Sequence, residues 1–276
     1  MATARTIQDY AERLERVHDY LQAHLDRDVD LGELAGVACF SPFHFHRIYH
    51  ALQGETVAES VRRLRLHRAA RDLIGGTAPI PRIASRAGYG SQAAFTRAFK
   101  SSYGTPPAAY RASTSGAFDG TVVIRDSPDV PVVARRHEGD YDGIGGAFER
   151  LNAAAIGRGW VDASTRYFGV YYQDPSGTPV AALRSAACLT APPGVALDGD
   201  LRPLTIAGGR AAVLLHVGPY AELHRAYTWL YREWLPASGE EPADRPCVEE
   251  YLNNPRLVPP SELRTEIWLP LPPAPA

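Results

Sequence analysis

A chain of 276 residues is longer than one small domain usually requires, so we expect two domains. Hydrophobic residues make up 45% of the chain and charged residues 22%, as in ordinary globular proteins, and no run of 18 apolar residues is present that could span a membrane. Three scattered cysteines, no Cys-x-x-Cys pair and an N-terminus without an apolar signal segment predict a reduced, cytoplasmic protein rather than a secreted disulfide scaffold.

The net charge of −2 conceals a strong asymmetry along the chain. Residues 41–115 contain 11 Lys and Arg against 3 Asp and Glu, whereas residues 1–40 contain 4 against 8 and residues 116–276 contain 14 against 20. A basic block inside an otherwise acidic chain indicates either a solvated helical surface or a surface that binds phosphates. Charge alone does not separate these two interpretations.

The basic block contains an internal repeat with an offset of 50 residues. SPFHFHRIYHALQG, residues 41–54, aligns with SQAAFTRAFKSSYG, residues 91–104. Each copy follows a short apolar helix, begins at a Ser in the N-cap position and ends at a Gly. The segment VAESVRRLRLHRAARDLI between them is typical of a long connecting helix. The pattern predicts two helix-turn-helix units in an all-α domain, residues 1–112.

Three histidines lie close together at His44, His46 and His50. His44 and His46 point in roughly opposite directions on a helix, because each residue advances the helix by about 100°. His46 and His50 share a face, but no carboxylate or cysteine nearby completes a site. We therefore expect neither a metal ion nor another cofactor here.

The first repeated helix has a buried stripe, because Phe45, Ile48 and Leu52 follow the i, i+3, i+7 spacing. The remaining surface offers aromatic, imidazole and guanidinium groups, which suit base edges in a DNA major groove, and the second copy offers amide and cationic groups. The alternative is that both are ordinary packed helices. The prediction is that double-stranded DNA is contacted by Phe43, His46, Arg47, Gln92, Ala93, Thr96, Arg97 and Lys100.

A small polar segment, residues 113–120, is predicted to be a linker, and a second duplication follows over residues 121–272. HEGDYDGIGGAFERL resembles HVGPYAELHRAYTWL at an offset of 79, and YQDPSGTPVAALR resembles LNNPRLVPPSELR at an offset of 80.

Each half of this duplicated region has the pattern strand, helix, strand, strand. We predict an α+β domain of duplicated βαββ units, with an antiparallel sheet whose helices cover one face. The helices are expected near 142–157 and 220–235, and the strands near 121–134, 166–173, 181–190, 203–217, 246–253 and 263–270.

The acids of this domain are distributed unevenly between its halves, since Glu249 aligns with Gly169 and Glu266 with Ala186. Strand alternation groups Glu249 with Tyr251, and it groups Glu266 with another aromatic residue. If the apolar sets lie under the helices, both groups line the free face and Glu250 points toward the helices. Carboxylates among aromatic rings suit a lipophilic cation. The predicted ligand-binding residues are Glu249, Tyr251, Glu266, Trp268, Tyr171 and Trp160; the alternative is that the acids are exposed and paired with Arg184 or Arg264.

Residues 10–111 resemble the AraC/XylS-type DNA-binding domain. The resemblance is carried by LAGVACFSPFHFHRIYHALQGETVAESVRRLRLHRAARDLI and by IASRAGYGSQAAFTRAFKSSYGTPPAAYR. It implies that two recognition helices enter successive major-groove faces on one side of the duplex. Carried over by position, the base-facing residues are Phe43, His46, Arg47, Gln92, Ala93, Thr96 and Arg97.

The rest of the chain resembles the GyrI-like ligand-binding domain, through FGVYYQDPSGTPVAALR, HVGPYAEL, PCVEEYLNNP and ELRTEIWLPL. The order of the two domains is that of Rob-type regulators. The resemblance implies a buried glutamate at the base of a pocket, for which Glu249 is the first candidate and Glu266 the second.

These features together predict a sequence-specific DNA-binding transcriptional regulator that responds to a small lipophilic, cationic effector, with RNA polymerase as a further candidate partner. One alternative is a GyrI-like hydrolase of strained electrophilic molecules, in which Glu249 beside Tyr251 acts as general base. Another is a DNA-binding domain fused to a protein-interaction module. The sequence identifies neither the operator, the ligand, the oligomeric state nor the sign of regulation.

Overall fold

The computed structural model describes residues 4–113 and 118–274, and the chain divides into two compact units. Of the described residues, the helical unit comprises 4–113 together with the short segments 218–222 and 255–262, and the sheet unit comprises the others. Residues 114–117, within the predicted linker 113–120, lie outside the described residues. Across the described chain, no helix combines the length and apolar character needed to cross a membrane.

Seven helices form the main part of the helical unit in its described residues, and two helix-turn-helix pairs are joined by one long helix, as predicted. The second helix of each pair is called a recognition helix below. The bounds are α1 (Ala4–Ala23), α2 (Leu31–Val37), α3 (Pro42–Gln53), α4 (Val57–Gly75), α5 (Ile80–Arg86), α6 (Gln92–Tyr103) and α7 (Pro107–Ser113), with α3 and α6 as the recognition helices.

The ends of α3 and α6 follow the repeat. Both helices end at a glycine in the left-handed backbone conformation, Gly54 with φ 73° and Gly104 with φ 75°. Residues other than glycine rarely adopt this conformation. Ser91 caps α6 by accepting a bond of 3.2 Å from the Ala94 amide. Ser41 occupies the N-cap of α3, but its hydroxyl makes no capping bond. The predicted start and stop positions are therefore confirmed, and only the second serine caps with its side chain.

Two apolar clusters hold the helical unit together, one for each helix-turn-helix. Aromatic residues from the recognition helices lie in the centre of each cluster, with Phe45 and Tyr49 in the first and Phe95 and Phe99 in the second. The long helix α4 supplies residues to both clusters. The buried stripe of α3 therefore consists chiefly of Phe45 and Tyr49, while the predicted Ile48 and Leu52 are only half-buried.

The sheet unit contains one eight-stranded antiparallel sheet and two helical segments. The strands are β1 (Val122–Ser127), β2 (Val130–Glu138), β3 (Tyr167–Tyr171), β4 (Arg184–Leu189), β5 (Leu201–Ile206), β6 (Gly209–Val217), β7 (Cys247–Tyr251) and β8 (Arg264–Pro270). Their order in the sheet is β1-β6-β8-β7-β3-β4-β2-β5. The first helical segment is α8 (Ile144–Gly157), and the second is continuous through α9 (Leu223–Trp229), a π-helical turn (Leu230–Trp234) and α10 (Leu235–Ser238).

The predicted duplication is confirmed by the strand order. The two βαββ units, β2-α8-β3-β4 and β6-α9-β7-β8, meet at the pairing of β3 with β7 in the middle of the sheet. Each expected first strand is in fact two strands, because the chain turns at Pro128 and Asp129 and again at Ala207 and Gly208. Proline and glycine at these turns interrupt the ladder, since they favour turns over continuous strands.

The two faces of the sheet differ in what covers them. Helix α8 packs on β2 and β4 and α9 packs on β6, so the central strands β3 and β7 lie between the two helices on that face. We call it the helix face. The opposite face carries its own apolar cluster, which includes Phe168, Val170, Val248 and Trp268.

Candidate functional sites

Glu249 lies near the centre of the sheet and is almost completely buried, with 4% of its surface exposed. Its Oε2 accepts a hydrogen bond of 2.7 Å from the Tyr251 hydroxyl. The hydroxyl of Tyr171 lies 2.8 Å from that of Tyr251, within hydrogen-bonding distance. Within the described chain, no lysine, arginine or histidine forms an ion pair with Glu249. A buried carboxylate is thus held by hydroxyl groups alone.

Burial raises the pKa of Glu249 to about 6, because removal from water disfavours the charged form, while the hydrogen bond from Tyr251 and the nearby hydroxyls of Tyr227 and Tyr171 oppose that rise. Glu55 of the helical unit is buried to a similar degree, but it lies beside arginines. Burial also acts to raise the pKa of Glu55, but hydrogen bonds and charges from Arg63 and further partners lower it below its ordinary value. Glu249 therefore has the burial of Glu55 without its cations.

Gly169 provides the space for this chain of hydroxyls. It is the register partner of Glu249 across the β3–β7 pairing and also its equivalent in the duplication. A β-carbon at Gly169 would lie 2.8 Å from Cε2 of Tyr171 and 2.9 Å from the Tyr251 hydroxyl. Both rings therefore fold over the position where a second glutamate would stand. The predicted asymmetry between the halves is confirmed in this geometry.

Two further aromatic side chains enclose the cluster, and they occupy equivalent positions in the duplication at an offset of 79. Phe148 of α8 packs edge-on against Tyr251, with ring centroids 5.1 Å apart. Tyr227 of α9 brings its hydroxyl close enough to favour the ionised form of Glu249, yet no hydrogen bond of ordinary geometry satisfies that buried hydroxyl. The alignment of the two halves pairs Phe148 with Tyr227, so the duplication in the sequence is the signal that identifies both side chains.

Other polar groups near the tyrosines are also left without partners. Ser185 faces Tyr171 across the β3–β4 pairing, and Thr265 faces Tyr251 across the β7–β8 pairing. Both hydroxyls are buried and make no hydrogen bond within the described structure. Buried polar groups are normally satisfied, so these two hydroxyls on the face that carries Glu249 are exceptions to that rule.

The expectation that Glu249, Tyr251, Glu266 and Trp268 share one face is wrong. Glu249 pairs with Ile267 and Glu250 pairs with Glu266, so Glu266 lies on the face opposite Glu249. There Glu266 forms an ion pair with Arg125 and accepts a bond of 3.0 Å from the Trp268 indole. Strand alternation determines which side chains of one strand point to the same face, but it does not determine the register between neighbouring strands.

The remaining predictions about this domain are also corrected in part. Glu250 points away from α8, and Arg166 binds it with two bonds of 2.7 and 2.9 Å. Trp160 is buried in the apolar cluster beneath α8, where the Arg158 guanidinium covers its ring, and it takes no part in the hydroxyl chain. Tyr171 packs with the cluster beneath α8 and Tyr251 packs against Phe148, so the group around Glu249 lies on the helix face and the expectation that it lines the free face is wrong. Glu249 is buried, which contradicts the alternative of an exposed acid paired with Arg184 or Arg264.

The recognition helices present the expected side chains on their outer surfaces. In α3, Phe43 is 88% exposed, and His46 and Arg47 are exposed as well. In α6, Gln92, Ala93, Arg97 and Lys100 are exposed and Thr96 is half-buried.

The cationic groups of these two helices differ from many other arginines of the helical unit. Arg13, Arg63, Arg65, Arg68 and Arg86 all form ion pairs. No ion pair or side-chain hydrogen bond joins Arg47, Arg97 or Lys100 to another described residue. These three groups are therefore available to a partner. Among the described residues, no group of three or more His, Cys, Asp or Glu side chains is placed to hold a metal ion.

Comparison with known proteins agrees with this architecture. Residues 120–272 match the GyrI-like small molecule binding domain, and residues 34–113 match a helix-turn-helix domain. The chain is 37% identical over 102 residues to the uncharacterized HTH-type transcriptional regulator YbfP of Bacillus subtilis. It is 35% identical over 95 residues to the transcriptional regulator Rob of Salmonella typhimurium.

These two matches cover 37% and 34% of this chain and 35% and 33% of the relatives, so the chain matches about a third of the length of these regulators. A cryo-EM structure of an EcmrR–DNA complex shares the fold with a TM-score of 0.50 at 16% identity, over 90% of this chain and 86% of that one. The predicted resemblances are confirmed by both domain matches. Because residues 120–272 make up more than half of it, this chain belongs to the GyrI-like family and carries an AraC-type helix-turn-helix domain before its GyrI-like domain.

Proposed function

We propose that the protein is a DNA-binding transcriptional regulator whose recognition helices α3 and α6 read bases in two successive stretches of major groove. The observation that carries the proposal is the pair of unpartnered arginines, Arg47 and Arg97, at equivalent exposed positions of the two helices. Arginine binds the guanine edge through two parallel hydrogen bonds. The relatives YbfP and Rob are named as regulators, which favours this function over the hydrolase alternative.

Substitution of each arginine tests this part of the proposal. Arg47→Ala and Arg97→Ala should each weaken binding to a selected DNA site by roughly 1–3 kcal/mol and relax base preference at its own position. Arg232→Ala is the matched control, because Arg232 is an exposed arginine of the sheet unit and its loss changes net charge equally. Fluorescence anisotropy at fixed salt measures the affinities. Equal losses in all three variants would indicate a general charge effect and contradict base reading.

We further propose that a lipophilic cation binds on the helix face of the sheet, between α8 and α9, with Glu249 as the anionic contact. Support comes from a buried carboxylate without a cation, surrounded by the rings of Tyr171, Tyr251, Tyr227 and Phe148. Aromatic faces attract cations and supply apolar contact area, and the carboxylate supplies the opposite charge. The unsatisfied hydroxyls on this face would accept or donate bonds to polar atoms of the ligand.

A pair of probes of similar shape tests the ligand class. Tetraphenylphosphonium is a lipophilic cation with four phenyl groups on phosphorus, and triphenylphosphine oxide is a neutral compound with three. Calorimetry at pH 7.5 should detect binding of the cation, and Glu249→Gln should weaken it at least about tenfold, since a charge-assisted contact contributes roughly 1.5–3 kcal/mol. Binding of the neutral compound with equal or higher affinity would contradict the assignment. RNA polymerase as a further partner and a cytoplasmic location stay predictions.

A further inference from the structure

The segment 255–262 belongs to the helical unit although it follows β7 in the sequence. Its counterpart in the duplication is the segment 175–182, and both end in a short 3-10 helix, Val180–Ala182 in one and Pro260–Glu262 in the other. The two segments share their turn pattern and their prolines. A side chain that differs between the two segments can therefore give the second segment a contact that the first one lacks.

Arg256 is the clearest difference, because the equivalent residue of the first copy is Ser176. Ser176 turns back on its own segment and donates to Asp174 at 2.8 Å. Arg256 extends toward the end of α3, where its Nη2 donates to Gln53 at 2.8 Å and its Nε donates to Glu55 at 3.2 Å. Gln53 is the last residue of α3, so Arg256 holds the end of the first recognition helix.

Glu55 connects this contact to the buried side of the same helix. It is 7% exposed and binds Arg63 at 2.6 Å as well as Arg256. Its Oε1 also accepts a bond of 2.7 Å from Ser60, whose hydroxyl in turn accepts 2.8 Å from the buried Tyr49 of α3. The carboxylate thus has partners on three sides, and α3 is fixed both at its end and through its buried tyrosine.

The other end of the same segment reaches the second recognition helix. Pro260–Glu262 packs on α6, and the Ser261 side chain lies 3.9 Å from where a β-carbon of Gly104 would be. Gly104 ends α6 as Gly54 ends α3. One segment of eight residues therefore contacts the carboxyl-terminal ends of both recognition helices.

We propose that the segment 255–262 is a brace that sets the position of α3 relative to α6, and that Arg256 is a positioning residue for DNA reading. The inference rests on the proposed DNA-binding function. A duplex presents its groove faces at a fixed spacing, so a protein that holds its two helices at that spacing before binding avoids the entropic cost of ordering them afterwards. Arg256 acts through Gln53 and Glu55, and it needs no contact with DNA.

The test uses the full chain with Arg256→Ala, and Arg264→Ala as the control, because Arg264 is an exposed arginine two residues after the brace. Two measurements are made: hydrogen exchange of the α3 amides without DNA, and DNA affinity as a function of salt. In Arg256→Ala, the α3 amides should exchange about tenfold faster and affinity should fall about tenfold, the size expected when a charged hydrogen-bonded contact is lost. The slope of log affinity against log salt should stay unchanged, since no phosphate contact is lost.

A loss of affinity with a slope reduced by about one would show that Arg256 binds a phosphate, and it would overturn the proposal. Arg256→Lys separates the same two cases. It keeps the charge but lacks the guanidinium fork that reaches Gln53 and Glu55 together, so it should remain impaired. Full recovery in Arg256→Lys, or unchanged α3 exchange in Arg256→Ala, would contradict the brace. If the unsubstituted protein binds no DNA, the DNA-binding function fails, while the exchange measurement still decides whether the brace holds α3.

Discussion

The substitution Glu249→Gln should have opposite effects on stability and on cation binding. The pKa of Glu249 is raised from 4.5 to about 6 in the folded protein. Between these two values the folded state binds more protons than the unfolded state, so stability falls as pH rises through this window, and the loss is complete above pH 6. A difference of about 1.5 units corresponds to about 2 kcal/mol, because one unit corresponds to 1.36 kcal/mol.

Glutamine keeps the size of the side chain and one oxygen that can accept from Tyr251, but it removes the charge. At pH 7.5 without ligand, Glu249→Gln should therefore stabilise the sheet unit by up to about 2 kcal/mol, and at pH 4 the two proteins should be equally stable. Urea denaturation followed by tryptophan fluorescence measures this unit selectively, because all four tryptophans of the chain lie at or after residue 160.

Glu266→Gln is the matched control, since Glu266 lies on the opposite face and is already paired with Arg125. Its loss should not stabilise the protein, because it removes one partner of an existing ion pair. Destabilisation by Glu249→Gln at pH 7.5 would refute the reasoning, because it would mean that the folded protein stabilises the charge on Glu249.

Two further predictions concern the proposed cation site at Glu249. The affinity for tetraphenylphosphonium should fall as pH decreases through about 6, approaching a tenfold loss per pH unit as Glu249 becomes protonated, whereas affinity for triphenylphosphine oxide should stay constant; calorimetry between pH 5 and 7.5 measures both. Gly169→Ala should weaken cation binding by displacing the rings of Tyr171 and Tyr251, whereas Gly145→Ala, where a β-carbon would meet no atom within 4 Å, should not. Equal affinities in the two alanine variants would contradict the role given to Gly169.

The helical unit could be predicted closely from the sequence because its signals are local. Serine at a helix start, glycine in the left-handed conformation at its end and a stripe of apolar residues all act within a few residues of one another. The repeat at an offset of 50 then doubled each signal, and it identified Arg47 and Arg97 as equivalent exposed positions. The structure differs mainly in giving Tyr49 a larger share of the buried stripe.

The surroundings of Glu249 could be predicted only in part, because they depend on the register between strands. The sequence identified Glu249, Tyr251 and Tyr171 and the absence of a side chain at Gly169. It could not give the pairing of Glu249 with Ile267, which places Glu266 on the other face. The sequence also did not show which face of the sheet the helices cover, because the alternation along a strand is the same for both faces.

Selection of DNA sites from a random library tests the central claim most directly, with the full chain and its Arg47→Ala and Arg97→Ala variants compared by sequencing. The unsubstituted protein should select a non-palindromic site with two preferred regions about one helical turn apart, roughly 10 base pairs. Each variant should lose preference in one region and keep it in the other. Selection of the same sequences by all three proteins would contradict the account, because base preference would then not depend on the two arginines.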